Sequence, residues 1–217
     1  MPSEALIWTD MQNDFMPGGA LGVPGGDAII PVANRVARCF ELVVATQDWH
    51  PPGHVSFAET HGRPVGETIE VDGLAQYLWP VHCVEGTKGA DFATGLDRNR
   101  IDKVIHKGDS PEIDSYSTFF DNGHRRQTEL HAYLQSRSVR SVYLCGLATD
   151  YCVKFSALDA RRLGYDTFLI ADACRGVEVH PGDVERAIDA MREAGVVVVT
   201  SDTLLRERAG SGHSAHR

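Results

Sequence analysis

The chain has 217 residues, 42% of them hydrophobic and 24% charged, with a formal net charge of -9; this balance suits one soluble globular domain and excludes a disordered or fibrous chain. The acidic excess, with no basic stripe, argues against nucleic acid as a partner, and no apolar run approaches the roughly 18 residues that a membrane span needs. Five cysteines at irregular spacing make neither a disulfide framework nor a thiolate zinc site, and the start of the chain lacks a basic-then-apolar leader, so a cytoplasmic protein with reduced thiols is expected.

Residues 4–9, EALIWT, are an apolar run that reads as a first strand and delivers Asp10 to its carboxyl end, where open α/β sheets keep their chemistry. Residues 11–26 are a glycine- and proline-rich loop over that edge. A helix is predicted from Asp27, with Ile29, Ile30, Val32, Val36 and Ala37 as its apolar face and Pro31 tolerated in its first turn. A second strand, 42–46, runs into the polar cluster QDWHPPGHVSF. The pattern from 58 to 99 is irregular around WPVHC, so that about 48–99 reads as a functional insertion. A short strand at 103–106 ends at Lys107, and 127–136 reads as a helix.

The stretch SVYLCGLATDYCVKFSALDA, 141–160, combines an apolar strand over 141–145, a turn over 146–149 and a helix from Asp150. Cys152 then falls in a first helical turn, where unpaired N–H groups and the helix dipole are expected to pull its pKa below the usual value of roughly 8.5. The small residues Gly146 and Ala148 would let a carbonyl approach backbone donors. On these residues alone Cys152 is equally a nucleophile or a small apolar residue packing a helix onto a sheet. A strand over 166–171, a helix over 181–194 and a sixth strand over 196–200 follow. This alternation predicts an α/β fold, a three-layer α/β/α architecture with a six-stranded, mainly parallel, Rossmann-like sheet. The domain is expected to span 1–208, and 209–217, polar and small, to be a disordered tail.

Asp10, Lys107 and Cys152 stand at three strand ends. An ammonium beside a thiol favours the thiolate, and a carboxylate can take the thiol proton and return it to a leaving amine. Taken singly, Asp10 also reads as a cap carboxylate and Lys107 as a solvated lysine. Asp48, His50 and His54 in TQDWHPPGH, with His82 in WPVHC, are the ligand types that a zinc, iron or manganese ion prefers. Asp48 and His50 share one side of an extended chain, and the PPG turn can bring His54 back towards them. His61, His106, His124 and His180 read as polar loop histidines. Phe15, Trp79 and Tyr116 place flat rings near the same strand ends, suited to a planar ligand, with Trp49 packing behind the metal-ligand types. GGALGVPGG lies in a loop and not at a strand-to-helix turn, which argues against a dinucleotide fingerprint.

TDMQNDF around Asp10, TQDWHPPGHVSF, WPVHC, HKG with Lys107, SYSTFFDN and CGLATDYCV, in this order and spacing over residues 5–200, resemble the nicotinamidase/pyrazinamidase enzymes of the isochorismatase-like (cysteine hydrolase) superfamily. The resemblance implies hydrolysis of nicotinamide to nicotinate and ammonia in NAD salvage, and cleavage of pyrazinamide. Cys152 would form a thioester, Asp10 would relay the proton and activate water, and Lys107 would hold the pair in register. It further implies a cis Leu147–Ala148 bond and an oxyanion hole from the Ala148 and Cys152 N–H groups. One divalent metal ion, zinc ahead of iron or manganese, would be held by Asp48, His50, His54 and His82 and would orient the pyridine nitrogen; Phe15, Leu21, Trp79 and Tyr116 would line the pocket. Thr118 replaces the glycine or alanine of many relatives and is expected to narrow the pocket edge. The implied partner is the small molecule nicotinamide, with a homo-oligomer left open. The alternative is a related cysteine amidohydrolase acting on a carbamoyl or ureido compound, a group that generally lacks the metal set.

Overall fold

The computed structural model describes residues 3–211. In chain order its strands and helices are β1 (Glu4–Thr9), α1 (Ile30–Ala37), β2 (Val43–Asp48), β3 (Thr68–Val71), β4 (Leu74–Tyr77), β5 (Lys103–Lys107), α2 (Leu130–Ser136), β6 (Ser141–Leu147), α3 (Lys154–Arg162), β7 (Asp166–Arg175), α4 (Asp183–Glu193), β8 (Val197–Val199) and α5 (Ser201–Ser211). Six strands form one sheet in the order β5-β2-β1-β6-β7-β8, and all of its pairings are parallel. The β-branched and aliphatic runs explain the centre. Val43 to Asp48 is buried at every position, and β1 at all but its first, as expected of strands covered on both faces.

The β1-to-β2 crossover moves one way along the sheet and the β6-to-β7 crossover the other. Right-handed connections therefore put α1 and α3 on opposite faces, giving the three-layer α/β/α architecture predicted. The strand order reverses between β1 and β6, and in open parallel sheets the crevice for ligands opens at the carboxyl ends flanking that reversal. Asp10 follows β1 and Cys152 follows β6, so the topology itself brings these two groups together. Gly146 sits at that seam with φ +130, and a Cβ there would lie 2.0 Å from the Thr9 carbonyl oxygen; only glycine lets the two strands approach so closely.

Several boundaries differ from expectation. The helix predicted from Asp27 opens with a 3-10 turn, Gly26–Ile29, before α1, and the helix predicted from 127 begins at Leu130. Residues 58–99 are not wholly irregular: β3 and β4 form an antiparallel hairpin whose turn residues Asp72 and Gly73 both have positive φ. The Asp-Gly pair was a readable signal for such a turn. The first residues of the expected tail, 209–211, are helical, the end of α5; the rest of that stretch lies outside the described residues. Its sequence carries little apolar periodicity. The helix is fixed by Leu204, by Ser201 donating to the Asp172 carboxylate, and by Arg208, which lies over the Phe40 ring and pairs with Glu4 at 2.6 Å. Among the described residues no helix is long and apolar enough to cross a membrane.

Candidate active site

Parallel register places the first pair of groups side by side. Asp48 ends β2, Lys107 ends β5, and they are register partners. Lys107, 1% exposed, directs its ammonium to the Asp48 carboxylate, to Asp10 Oδ2 at 2.9 Å, to the Ser115 carbonyl oxygen at 2.9 Å and to Cys152 Sγ at 3.4 Å. A buried cation is tolerable only when so surrounded. Burial opposes its charge, but Asp10 and Asp48 outweigh burial and hold the Lys107 pKa well above its ordinary value.

Asp10 is fully buried with φ +48, a left-handed conformation that aspartate enters more readily than most residues. Thr46 donates to its Oδ1 at 2.6 Å and accepts its backbone N–H at 3.2 Å. Burial raises the Asp10 pKa to about 6, against the opposing pull of Lys107. Asp10, Asp48 and Cys152 bring reactive atoms within 4.8 Å of one another.

Cys152 departs from the sequence expectation in two ways. Its turn, Thr149–Val153, is a π-helical turn that precedes α3 and is not the first turn of a regular α-helix. Its pKa is also raised, not lowered. Burial pushes the thiol well above its ordinary value, and Lys107 opposes that only in part because Asp10 and Asp48 add to it. The site therefore sets a thiol that burial keeps neutral beside a buried carboxylate, an arrangement in which a proton can pass from one to the other. The Leu147–Ala148 bond before the turn is cis.

A second cluster adjoins the first through Asp48. His50 Nδ1 donates to the Gly108 carbonyl oxygen and His82 Nδ1 to that of Pro80, each at 2.8 Å. Carbonyl oxygens only accept, so each ring keeps its Nε2 lone pair free. Those Nε2 atoms lie 3.7 and 4.0 Å from Asp48 Oδ2. Burial, reinforced by the neighbouring imidazole, lowers the pKa of His50 to about 3 and of His82 to about 4, so both rings are neutral. Asp48, His50 and His82 form one set of donor atoms, while His54 joins His50 and Asp114 in an overlapping set. His54 Nε2 is buried without a hydrogen-bond partner. Inward lone pairs, an orphaned imidazole nitrogen and a shared carboxylate are what a borderline divalent cation requires, so the residues fit a metal ion.

Both clusters reach one pocket, lined by Phe15, Leu21, Trp79 and Tyr116 together with Asp48, His82, Ala148 and Cys152. Trp79 Nε1 donates to the Tyr116 hydroxyl at 3.1 Å, which fixes both rings. Trp49 is outside the lining and stacks on His106 at 4.3 Å. Thr118 also misses the pocket: it is fully buried beneath α3, its N–H donating to Ser156 Oγ.

A family model for the isochorismatase domain matches residues 4–203. The chain belongs to the isochorismatase family. Within the family it is 47% identical over 204 residues to the nicotinamidase of Escherichia coli, covering 92% of this chain and 96% of that one. It is 42% identical over 202 residues to the nicotinamidase of Acinetobacter baylyi, covering 93% and 94%. Among solved structures, an Acinetobacter baumanii nicotinamidase/pyrazinamidase superposes with a TM-score of 0.91 at 45% identity over 94% of this chain and 99% of that one. An L. infantum protein in complex with nicotinate gives 0.81 at 39% identity over 93% and 94%. A Pyrococcus horikoshii pyrazinamidase in complex with zinc gives 0.76 at 43% identity over 92% and 99%.

Sequence reading missed part of this isochorismatase-family site. Tyr151, Val177 and Asp114 also line the pocket, and Gln12 clamps Asp48 from behind, accepting its N–H and donating to its carbonyl oxygen, both at 2.8 Å. Tyr151 and Gln12 sit inside the quoted motifs and were findable there. Asp114 and Val177 carry no local signal; their place depends on how distant loops fold back.

Proposed function

We propose that this isochorismatase-family chain is a metal-dependent nicotinamidase, hydrolysing nicotinamide to nicotinate and ammonia through a Cys152 thioester, and that it also cleaves pyrazinamide. The observation that carries the reading is one pocket lined at once by Cys152 and Ala148, by Asp48 and His82, and by the rings of Phe15, Trp79 and Tyr116. A planar pyridine carboxamide has the matching two ends, an amide and a ring nitrogen. The similar proteins act on, or were solved with, the same chemistry.

Cys152 Sγ attacks the amide carbon while Asp10 takes the thiol proton. The N–H groups of Ala148 and Cys152 face the oxygen as it becomes negative. As the carbon–nitrogen bond breaks, Asp10 returns the proton to the departing ammonia. Asp10 then draws a proton from a water that attacks the thioester, and nicotinate leaves as Cys152 recovers its proton. Lys107 keeps Asp10 ionised enough to act and holds it against the sulfur. Asp48, His50 and His82, with His54 beside them, would hold the divalent ion, zinc in the first instance, whose chemistry when bound is to take the ring-nitrogen lone pair and so orient the substrate.

The reading places the protein in the cytoplasm and in NAD salvage, with one catalytic domain over 1–208; the five cysteines, all free, suit a reducing compartment. The test is ammonia release from nicotinamide by purified protein, by Cys152→Ala and by protein stripped of metal. Release that needs both Cys152 and metal supports the reading, and no release from metal-loaded wild type overturns it.

A further inference from the structure

Beside the nucleophile turn lies a tie that the chemical steps do not use. Asp150, 3% exposed and two residues before Cys152, accepts the Val177 N–H at 3.0 Å and the Glu178 N–H at 2.8 Å, one on each carboxylate oxygen. These residues follow β7, and Val177 lines the same pocket as Cys152. Glu178 has φ +54, a conformation that a residue with a long side chain keeps only when its surroundings hold it there. The Glu178 carboxylate in turn accepts the N–H groups of Val184 at 2.9 Å and Gly182 at 3.2 Å, at the start of α4. Gly176 completes the fit: a Cβ there would lie 3.0 Å from Asp150 Oδ1 and 2.1 Å from Val184 Cγ2. The segment is therefore laid directly onto Asp150, between the nucleophile turn and α4.

Val177, held in this way, lines the smaller of two neighbouring spaces. The pocket at Cys152 is a cavity of about 30 Å³, whereas the basin outside it, which shares Tyr116 and Tyr151 and is lined by Asp150, has about 390 Å³. Room for a larger ring exists next door but not beside the thiol.

We propose that Asp150 is a specificity-determining positioning residue: by pinning residues 177 and 178 it sets the pocket wall, and so confines the substrate to unsubstituted six-membered aromatic carboxamides. This rests on the nicotinamidase reading and adds to it the class of amide admitted. Asp150 touches no reacting atom; it acts through Val177. Asn at this position keeps the shape but offers one carbonyl oxygen to two N–H groups, with its own NH2 facing the second. Val177 is then held less firmly against the pocket. Discrimination over one methyl group in an apolar pocket is typically about 10- to 200-fold, which sets the size of the effect.

The experiment measures kcat/KM for 5-methyl- and 6-methylnicotinamide relative to nicotinamide in wild type, Asp150→Asn and Glu178→Gln, the last loosening the same segment from its α4 side. Amide hydrogen exchange at residues 177 and 178 is followed without substrate in the same proteins. The expected result is a rise of at least about tenfold in the ratio for one methylated amide in Asp150→Asn, a smaller rise in Glu178→Gln, and faster exchange at both amides. A ratio unchanged in Asp150→Asn overturns the proposal even if overall activity falls, because a merely structural role lowers both substrates together. If Asp150→Asn does not fold, the ratio in Glu178→Gln decides in the same way. Inactivity of the wild type on nicotinamide would defeat the functional reading, and unchanged exchange at residues 177 and 178 would then separately defeat the tie.

Discussion

Replacing Lys107 by methionine keeps most of the length of the side chain and removes the charge that four neighbours are arranged around. In metal-free protein, Asp10 and Asp48 would then face each other without a cation, with reactive atoms within 4.8 Å. Two ionised carboxylates at that separation repel by about 3.5 kcal/mol at an effective dielectric constant of about 20. Breaking a buried ion pair by removing one partner costs about 3–5 kcal/mol in measured cases. In a chain of this size each kcal/mol lowers the Tm by about 2–4 °C, so the variant should melt about 6–20 °C below wild type near pH 8. The deficit should depend on pH in one direction. Burial already raises the Asp10 pKa to about 6 against the pull of Lys107, and removing Lys107 raises it further. A carboxyl whose folded value lies above its unfolded value binds its proton more tightly when folded; the penalty is full above the folded value and disappears as the pH falls below it. Near pH 5, with Asp10 protonated, the repulsion is gone and the deficit should shrink by about half or more. Thermal melts of wild type and Lys107→Met after chelation, at both pH values, make the comparison. An equal deficit at the two pH values would refute the argument that Lys107 is retained against two buried carboxylates.

Three other expectations test separate parts of the site. Cys152→Ala should lower ammonia release at least about 1000-fold while nicotinamide still binds with a Kd within a few-fold of wild type, as calorimetry would record; residual turnover near wild type would remove Cys152 as the nucleophile. The kcat/KM for nicotinamide should fall below about pH 6, as Asp10 takes up its proton. Thr46 donates to Asp10 at 2.6 Å, so Thr46→Val should move that acidic limb up by about one pH unit, a hydrogen bond to a charged group contributing about 1.5–3 kcal/mol. An unmoved limb would count against Asp10 as the proton acceptor. His82→Ala should weaken zinc binding at least about tenfold in competition with a chromophoric chelator, whereas His61→Ala, whose Nε2 is engaged by the Val55 carbonyl oxygen at 2.8 Å, should leave it unchanged.

Much of the fold could be read locally. The runs ALIWT, VVAT and VYLC are apolar and β-branched and lie within β1, β2 and β6, and Asp10 and Asp48 stand at the carboxyl ends of the first two. The elements that were missed are those whose stability comes from elsewhere. The hairpin over 68–77 is short and half-exposed, and α5 is polar around its circumference, docked through Arg208 and Ser201 onto partners far away in the chain. Thr118, read as a pocket residue from its motif, packs under α3 because its hydrogen bond to Ser156 turns that segment inward.

By itself the sequence determined which chemical groups stand at which strand ends, because a strand's period and its terminating residues are local properties. The Asp, Lys and Cys set, the Asp and His set and the aromatic rings are all legible there. Only the tertiary structure decided what those groups are. Burial by distant segments, which no local pattern reports, raises the Cys152 thiol where the turn alone predicted a fall, and keeps His50 and His82 neutral. Asp48 serves the lysine with one carboxylate oxygen and faces the histidines with the other because β2 lies between β5 and β1. Electrostatic character depends on distance and desolvation in three dimensions, and those quantities exist only once the chain has folded.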